Sequence, residues 1–383
     1  MQVTKSIYNV GVNDKEVDLF EGQYVVPNGM AYNSYLIIDE KVVLMDTVAE
    51  GFYQEWTNNI KKVLGERKVD YLVVQHMEPD HSYNVKNFLK ENPQTKIVSS
   101  SKAFIMMKNF FCEDFADRQV VVGENSTLSL GSRNLTFVTA PMVHWPEVIM
   151  TYDDQDQVVF SADGFGKFGA LDADEEWACE ARRYYFGIVG KYGAPVQTLL
   201  KKISGLNIKT ICPLHGPVLT ENLGYYLNLY NIWSSYQSEA KGTFIAYTSV
   251  YGNTKKVAFM LKKELEKRGE KVTISDLARD DMAECVEDAF KYDKIVLATT
   301  TYNADIFPFM KTFVDALLER NFQNKKVGII ENGSWAPVVA KKIRTAFEKS
   351  KDIIFTENDL TILSAPNDKT LDNVIRLADQ LLS

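Results

Sequence analysis

The amino-acid sequence predicts an α/β protein of two domains, an αββα sandwich over residues 1–241 followed by a doubly wound parallel sheet over residues 242–383. Three observations predict this fold class. A chain of 383 residues is too long for one ordinary hydrophobic core. All four histidines follow short apolar runs typical of strands, so they would meet along one edge of two packed sheets. After residue 241, strand-like and helix-like segments alternate, as in a parallel sheet covered by helices.

The elements of the first domain are predicted in chain order as strands that end in polar clusters, with helices between them. A hairpin with strands at 35–38 and 42–46 and a helix at 52–66 precede a buried strand at 69–75. The predicted elements that follow are a helix at 84–90, a strand at 96–98, a helix at 102–111, strands at 135–140 and 157–162, a mostly helical region at 175–204 and a strand at 208–212.

Four side chains of metal-ligand type lie within six residues, directly after the strand at 69–75. They are His76, Glu78, Asp80 and His81. Pro79 disfavours a helix through this cluster, so we expect it to form a loop. The later strand ends carry His144, Asp163 and His215. A solvated polar loop would explain one such histidine, but not a set in which every histidine follows a strand. Because imidazoles and carboxylates are costly to bury without a cation, the pattern predicts one metal site on a shared sheet edge.

Three loops of the second domain follow predicted strands and are rich in hydroxyl, amide and aromatic side chains. The first joins a strand at 243–247 to a helix at 255–268, where free N–H groups and the helix dipole favour a phosphate. The others follow strands at 294–298 and 327–331, at the edge where open α/β sheets bind ligands. The candidate residues are Thr248, Ser249, Val250, Tyr251, Gly252, Asn253, Thr254, Thr300, Thr301, Tyr302, Asn303, Asn332, Gly333, Ser334 and Trp335.

Two alternatives for these loops stay open from the residues alone. Hydroxyl side chains before a helix are common caps, and Tyr302 and Trp335 could be ordinary core residues. The Walker motif and the G-x-G-x-x-G motif are both absent, so a P-loop or a Rossmann dinucleotide site is excluded. Five strands over this length suit the doubly wound order 2-1-3-4-5.

Composition and charge exclude other classes of protein. A net charge of −8 argues against a nucleic-acid binder, which needs a basic surface. The N-terminal segment lacks the apolar core of a signal peptide, and no apolar run is long enough to span a membrane. The four cysteines form no C-x-x-C pair, which argues against a fused rubredoxin-like module and favours reduced thiols. We therefore expect a cytoplasmic protein that contacts neither nucleic acid nor membrane.

The N-terminal ligand series resembles that of the metallo-β-lactamase fold, with one difference. The hydrolytic zinc members of that fold have histidine at the second ligand position, where this chain has Glu78. A carboxylate there favours iron or manganese over zinc. The series is similar to the diiron site of the flavodiiron proteins, or A-type flavoproteins. This resemblance implies one iron held by His76, Glu78 and His144, a second held by Asp80, His81 and His215, and a bridge made by Asp163 with an oxo or hydroxo group. In some members the residue that matches His81 is turned away from the metal.

The C-terminal stretch resembles flavodoxin, which implies bound FMN. By this resemblance Ser249, Gly252, Asn253 and Thr254 surround the phosphate, while 300–303 and 332–335 flank the isoalloxazine ring. Together the two resemblances cover essentially the whole chain. They imply an oxidoreductase in which FMN passes electrons to two irons that reduce O2 to water, NO to N2O, or both.

The family resemblance also implies partners. The external electron donor would be rubredoxin, a flavoprotein reductase or reduced deazaflavin. The assembly would be a head-to-tail homodimer or a dimer of dimers, with the FMN of one subunit facing the irons of the other. Trp145 and Trp335 are candidates to line that junction. The sequence does not decide between O2 and NO, among the donors, or between dimer and tetramer.

Two other functions are weighed against this one. A metal-dependent hydrolase of the metallo-β-lactamase type, with a passive second domain, is disfavoured by Glu78 and by the flavin loops. An electron carrier with a structural metal site is disfavoured because seven candidate ligands, three of them carboxylates, exceed what a structural site needs.

Overall fold

The computed structural model describes residues 1–383, which divide into two compact units, Met1–Asn231 and Ile232–Ser383. The first unit contains two stacked sheets flanked by helices, and the second contains a parallel sheet wound on both faces, so the predicted fold class is confirmed. The domain boundary after residue 241 stays a prediction. No helix is both long enough and apolar enough to cross a membrane.

The elements of the first unit alternate between short strands and helices. Its strands are β1 (Ile7–Asn9), β2 (Val12–Asp14), β3 (Leu19–Phe20), β4 (Tyr24–Val25), β5 (Met30–Tyr32), β6 (Tyr35–Ile38), β7 (Val42–Met45), β8 (Tyr71–Val73), β9 (Lys96–Ser100), β10 (Gln119–Val122), β11 (Thr127–Ser129), β12 (Asn134–Thr139), β13 (Ile149–Asp153), β14 (Val158–Phe160) and β15 (Thr210–Cys212). Its helices are α1 (Tyr53–Leu64), α2 (Pro79–Ser82), α3 (Val85–Glu91), α4 (Ser101–Phe111), α5 (Trp177–Tyr184) and α6 (Gly193–Ile203), with short 3-10 helices at Glu50–Phe52 and Gly190–Tyr192 and a π-helix at Tyr185–Val189. Helix α7 (Leu223–Ser234) begins in this unit.

The two main sheets bring the predicted ligand segments to common edges. One sheet has the order β1-β6-β7-β8-β9-β10 and the other β11-β12-β13-β14-β15. Their inner faces share one buried apolar core that includes Val43, Val73, Phe137 and Phe160. Strand β8 is parallel to β7 and β9, and β14 is parallel to β15. Since parallel strands end at the same edge, the loops after β8, β14 and β15 leave the sheets where a shared site can form.

One prediction about this edge is wrong. The residues after His76 do not form a loop throughout, because Pro79–Ser82 is the short helix α2. Pro79 occupies its first turn, where a missing N–H costs nothing and the fixed φ of proline suits the helix. Proline excludes a helix only when it lies in the interior. The turn is closed by the N–H of His81 and of Ser82, which both donate to the carbonyl of Glu78 at 3.0 Å.

The second unit is built on longer strands. These are β16 (Ala240–Tyr247), β17 (Val272–Asp276), β18 (Tyr292–Tyr302), β19 (Asp305–Ile306), β20 (Lys325–Asn332), β21 (Ile353–Phe355) and β22 (Leu360–Ile362). The helices are α8 (Asn253–Lys267), α9 (Met282–Lys291), α10 (Pro308–Glu319), α11 (Val339–Ala346) and α12 (Thr370–Leu382).

The parallel strands of the second unit follow the order β17-β16-β18-β20-β21, which confirms the predicted order 2-1-3-4-5. Neighbouring residues on β16 point to opposite faces, so Ile245 packs with Leu261 of α8 whereas Phe244 contacts Phe313 of α10. Strand β18 is longer than predicted, because its end pairs with β19 in a hairpin. Residues 300–302 therefore belong to a strand and not, as predicted, to a loop.

Candidate metal and flavin sites

The structure brings all seven predicted metal ligands together in the first unit, in two adjoining groups. The first group is His76, Glu78, His144 and Asp163, and the second is Asp80, His81 and His215. Five of the seven are buried, and Glu78 and Asp80 each keep a small exposed surface. Each group presents imidazole Nε2 atoms and carboxylate oxygens toward a common point.

The spacing of the donor atoms tests whether each group fits a metal ion. In the first group, Glu78 Oε2 lies 3.2 Å from His76 Nε2 and 3.0 Å from His144 Nε2, and the two nitrogens are 3.2 Å apart. In the second, Asp80 Oδ2 lies 3.2 Å from His81 Nε2 and 3.3 Å from His215 Nε2, with 3.0 Å between the nitrogens. Neighbouring ligands held about 2.1 Å from one divalent cation lie roughly 3 Å apart. Both groups therefore fit a metal.

Asp163 lies between the two groups and divides its carboxylate oxygens between them. Its Oδ2 is 3.2 Å from His76 Nε2 and 3.1 Å from His144 Nε2. Its Oδ1 is 3.3 Å from His81 Nε2 and 3.7 Å from His215 Nε2. This is the arrangement of a carboxylate that can contact two metal ions at once.

Unpartnered oxygens give a second test of the fit. All four carboxylate oxygens of Asp80 and Asp163 are buried and none accepts a hydrogen bond. Their polar neighbours are the Nε2 atoms of the site histidines, so a cation bound by the same nitrogens would also satisfy these oxygens. Although burial opposes the charged form, the neighbouring Asp163 and Glu78 raise the pKa of His144 to about 9, and the nearby histidines hold the pKa of Asp163 well below its usual range. The site thus already stabilises ionised carboxylates.

Residues outside the predicted set orient the histidines. Glu147 is buried, and its Oε1 lies 2.8 Å from His76 Nδ1 and accepts from the N–H of Met77 at 2.8 Å. His215 Nδ1 donates to the carbonyl of Ala31 at 2.8 Å. These contacts leave Nε2 of both rings facing the site. Sequence reasoning missed Glu147, because its role depends on a contact with His76, which is distant in the sequence.

The loop that carries His215 is fastened by a buried amide, which sequence reasoning also missed. Asn33 Nδ2 donates to the carbonyls of Pro213 at 2.9 Å and of Gly216 at 2.8 Å. Gly216 has φ of +78°, and a Cβ there would lie 2.7 Å from Lys167 Cγ. Only glycine fits this turn without strain.

A tyrosine hydroxyl without a partner lies beside the two groups. Tyr184 is fully buried, its ring centroid is 5.5 Å from that of His215, and its Oη makes no hydrogen bond. Burial, reinforced by Asp163, Glu78 and Asp80, raises its pKa well above the usual value. The hydroxyl therefore stays protonated and can donate.

The predicted flavin segments converge at the carboxyl edge of the second unit's sheet. Helix α8 begins after Gly252, which has φ of +88°, and the Gly252 N–H donates to Ser249 Oγ at 3.0 Å. Thr254 Oγ1 links the three segments, because it lies 3.2 Å from Thr300 Oγ1 and accepts from Asn332 Nδ2 at 3.3 Å. No side chain caps α8, so the N–H groups of its first turn are free for an anion.

A fourth segment joins the flavin segments and was missed from the sequence. The carbonyl of Ser364 accepts from Asn253 Nδ2 at 2.9 Å and from Asn332 Nδ2 at 3.2 Å. Ser364 Oγ donates to Ser334 Oγ at 2.8 Å. Its position just after β22, at the same sheet edge, was the signal that could have identified it.

The aromatic residues of these segments are exposed. Tyr251 is 93% exposed, Trp335 is 91% exposed and Tyr302 is 47% exposed. Core packing, the alternative for Tyr302 and Trp335, is therefore wrong. Exposed rings beside a helix start that has no side-chain cap suit a flat, phosphorylated ligand such as FMN.

Comparison with known protein families matches each unit separately. Residues 30–216 match the ODP family of β-lactamase-like domains, and residues 245–351 match the flavodoxin family. These two matches span most of the chain and lie in the order that the sequence predicts.

Individual proteins match the chain across both units. A nitric oxide reductase from Moorella thermoacetica is 29% identical over 391 residues, which cover 99% of this chain and 97% of that protein. Rubredoxin oxygen:oxidoreductase from Desulfovibrio gigas superposes with a TM-score of 0.91 at 24% identity, covering 100% of this chain and 97% of the other. The flavodiiron protein from Giardia intestinalis gives 0.91 at 23% identity, covering 100% and 96%. The two structural likenesses establish the fold.

Proposed function

Because this chain belongs to the flavodiiron proteins, we propose that it is an oxidoreductase that reduces O2 to water, NO to N2O, or both, at a diiron site supplied with electrons through FMN. The observation that carries the proposal is the pair of adjoining ligand groups that share Asp163. A hydrolase is disfavoured because the second ligand position is Glu78 and because the second unit matches the flavodoxin family.

We assign His76, Glu78 and His144 to one iron, Asp80, His81 and His215 to the other, and Asp163 to both. The donor spacings and the unpartnered oxygens support this assignment. Bound iron supplies the electron transfer and the diatomic-binding chemistry that no side chain can supply. The chain's own residues fix the positions of the donor atoms and bury them away from water.

We assign the FMN phosphate to the start of α8, with Ser249, Gly252, Asn253 and Thr254 around it. The free N–H groups of that helix start and its positive dipole end support the assignment. Residues 300–303 and 332–335 would flank the isoalloxazine ring, with the exposed rings of Tyr302 and Trp335 available for stacking.

The reduction of O2 or NO consumes protons, and a hydroxyl that can donate a hydrogen bond lies beside the two groups of metal ligands. The Tyr184 hydroxyl is protonated, buried and without a partner. We propose that it donates a hydrogen bond to the substrate. Such a donor can stabilise a negative charge that develops on the substrate, because the hydroxyl has no other hydrogen-bond partner.

Partners and location complete the proposal. One relative is named rubredoxin oxygen:oxidoreductase, so we take rubredoxin as the first donor to test, before flavoprotein reductases and deazaflavin.

We propose a head-to-tail homodimer, or a pair of such dimers, with Trp145 and Trp335 at the junction. Trp145 contacts the rings of His76 and His144, with centroids 5.2 and 5.9 Å away. We propose a cytoplasmic location, because the four cysteines form no C-x-x-C pair, a pattern that favours reduced thiols.

The test compares the same protein loaded with iron or with zinc. Anaerobic protein containing FMN is reduced, mixed with NO or O2 in a stopped-flow instrument, and flavin reoxidation is followed by absorbance. We expect rapid reoxidation by at least one gas with iron, and only the slow reaction of flavin itself with zinc. Equal rates for the two metals would refute the proposal, since the metal site would then play no part.

A further inference from the structure

The carboxylate of Glu147 contacts His76, one of the histidines whose Nε2 faces the proposed metal site. Its Oε1 contacts His76 Nδ1 at 2.8 Å, and both side chains are fully buried. The same oxygen accepts from the N–H of Met77, and the Ser100 hydroxyl donates to the Glu147 carbonyl at 2.8 Å. The contacts with His76 and Met77 fix one oxygen of the carboxylate, and the bond from Ser100 fixes the backbone of Glu147.

The histidines of the other group lack such support. His215 Nδ1 donates to a neutral acceptor, the Ala31 carbonyl. His81 is fully buried, but its Nδ1 has no hydrogen-bond partner. Apart from the contacts of its Nε2 within the site, His81 is held through its backbone, because Thr47 donates its N–H at 2.8 Å and its hydroxyl at 2.7 Å to the His81 carbonyl. The ring of His81 is therefore less constrained than the ring of His76.

We propose that Glu147 is a positioning residue that makes the two metal positions unequal. It fixes the tautomer of His76 with Nε2 toward the metal and makes that nitrogen a stronger donor. A carboxylate behind a ligating histidine raises the basicity of the ligand, whereas a carbonyl does so less. The metal at His76, Glu78 and His144 is therefore the more tightly held of the two and has the lower reduction potential. The metal at Asp80, His81 and His215 is released first.

This inference rests on the proposed diiron function and concerns the metal-binding strength of each position. Glu147 does not face the metals, because His76 lies between, and its Oε2 makes no hydrogen bond. Its effect must therefore pass through the imidazole of His76.

The experiment measures how fast each iron leaves the full-length protein. Wild-type protein with FMN and two ferrous ions per chain is mixed anaerobically with a ferrous chelator, and release is followed by absorbance. We expect two phases of one iron each. In Glu147→Gln, which keeps an acceptor oxygen but loses the charge, the slow phase should accelerate by about 10- to 100-fold, the usual cost of losing such a partner. The fast phase should not change.

Mössbauer spectra of the same samples provide a readout that a purely structural role would not move. With ⁵⁷Fe, the doublet of one iron should shift in Glu147→Gln while the other stays in place. The control is Glu124→Gln, an equal change at a carboxylate that pairs with Lys202 on the surface. It should alter neither release phase nor spectrum.

The outcomes separate the two claims. Release in a single phase from the wild type, or an unchanged slow phase in Glu147→Gln, would overturn the inference while leaving the diiron function intact. Protein that cannot hold two irons would instead overturn the proposed function. If Glu147→Gln does not yield folded protein, the wild-type release alone decides, since equal rates from the two positions contradict the unequal support that the structure gives them.

Discussion

Replacing Asn33 by alanine tests how the His215 loop is held. The Asn33 side chain makes three buried hydrogen bonds, to the carbonyls of Pro213 and Gly216 and from Asn9 Nδ2. After the change, Pro213 keeps its bond from Tyr35 Oη at 2.7 Å. The Gly216 carbonyl and Asn9 Nδ2 are left without the partners they have now. Each buried group without a partner costs about 1–3 kcal/mol, so the free energy of unfolding should fall by about 2–6 kcal/mol.

The assay is urea unfolding of the Asn33→Ala protein, followed by tryptophan fluorescence, together with iron analysis. The matched control is Tyr35→Phe, which removes the other donor to Pro213 but leaves that carbonyl bonded to Asn33. It should cost only about 1 kcal/mol. We also expect Asn33→Ala to lose iron, because its loop carries His215. An Asn33→Ala protein within 1 kcal/mol of wild type that holds two irons would refute this account of the loop.

Three further changes test other parts of the molecule. Tyr184→Phe should slow turnover by about 10- to 100-fold without loss of iron, because it removes one donor to a charged group, and unchanged turnover would exclude that role. Trp335→Ala should weaken FMN binding about tenfold, measured by flavin fluorescence, without lowering stability because the ring is exposed; equal affinity would exclude stacking. Burial lowers the pKa of Lys325 to about 7 from about 10.5. Between about pH 7 and pH 10.5 the unfolded chain therefore binds one more proton than the folded chain does. The free energy of unfolding should rise with pH across this range. In urea unfolding, the Lys325→Met protein should lack this rise. A Lys325→Met protein with the same pH profile as the wild type would contradict the explanation.

Much of the fold could be predicted because its signals are local. Apolar runs indicate the strands of both units. In the second unit, the alternation of these runs with helical segments predicts a parallel sheet. The errors occurred where a local signal has two meanings. Pro79 stops a helix in its interior but starts one at the first turn, as it does in α2. The extension of β18 depends on pairing with β19, which the polar sequence at 303–305 does not suggest.

The candidate site could be predicted where its residues cluster at strand ends. Seven ligand candidates follow β8, β12, β14 and β15, so their types and positions alone indicate a metal site. The supporting residues could not be found in this way. Asn33, Glu147 and Tyr184 are single residues whose roles depend on contacts with distant segments, and nothing in their local sequence separates them from ordinary polar residues.

Elemental analysis of iron and zinc in anaerobically purified protein tests the central claim most directly. The ligand set, with Glu78 in place of a histidine and Asp163 shared between two groups, should select iron. We expect about two irons per chain and little zinc. Two zincs per chain at full occupancy, in protein produced with ample iron, would contradict the redox function and direct attention to hydrolysis.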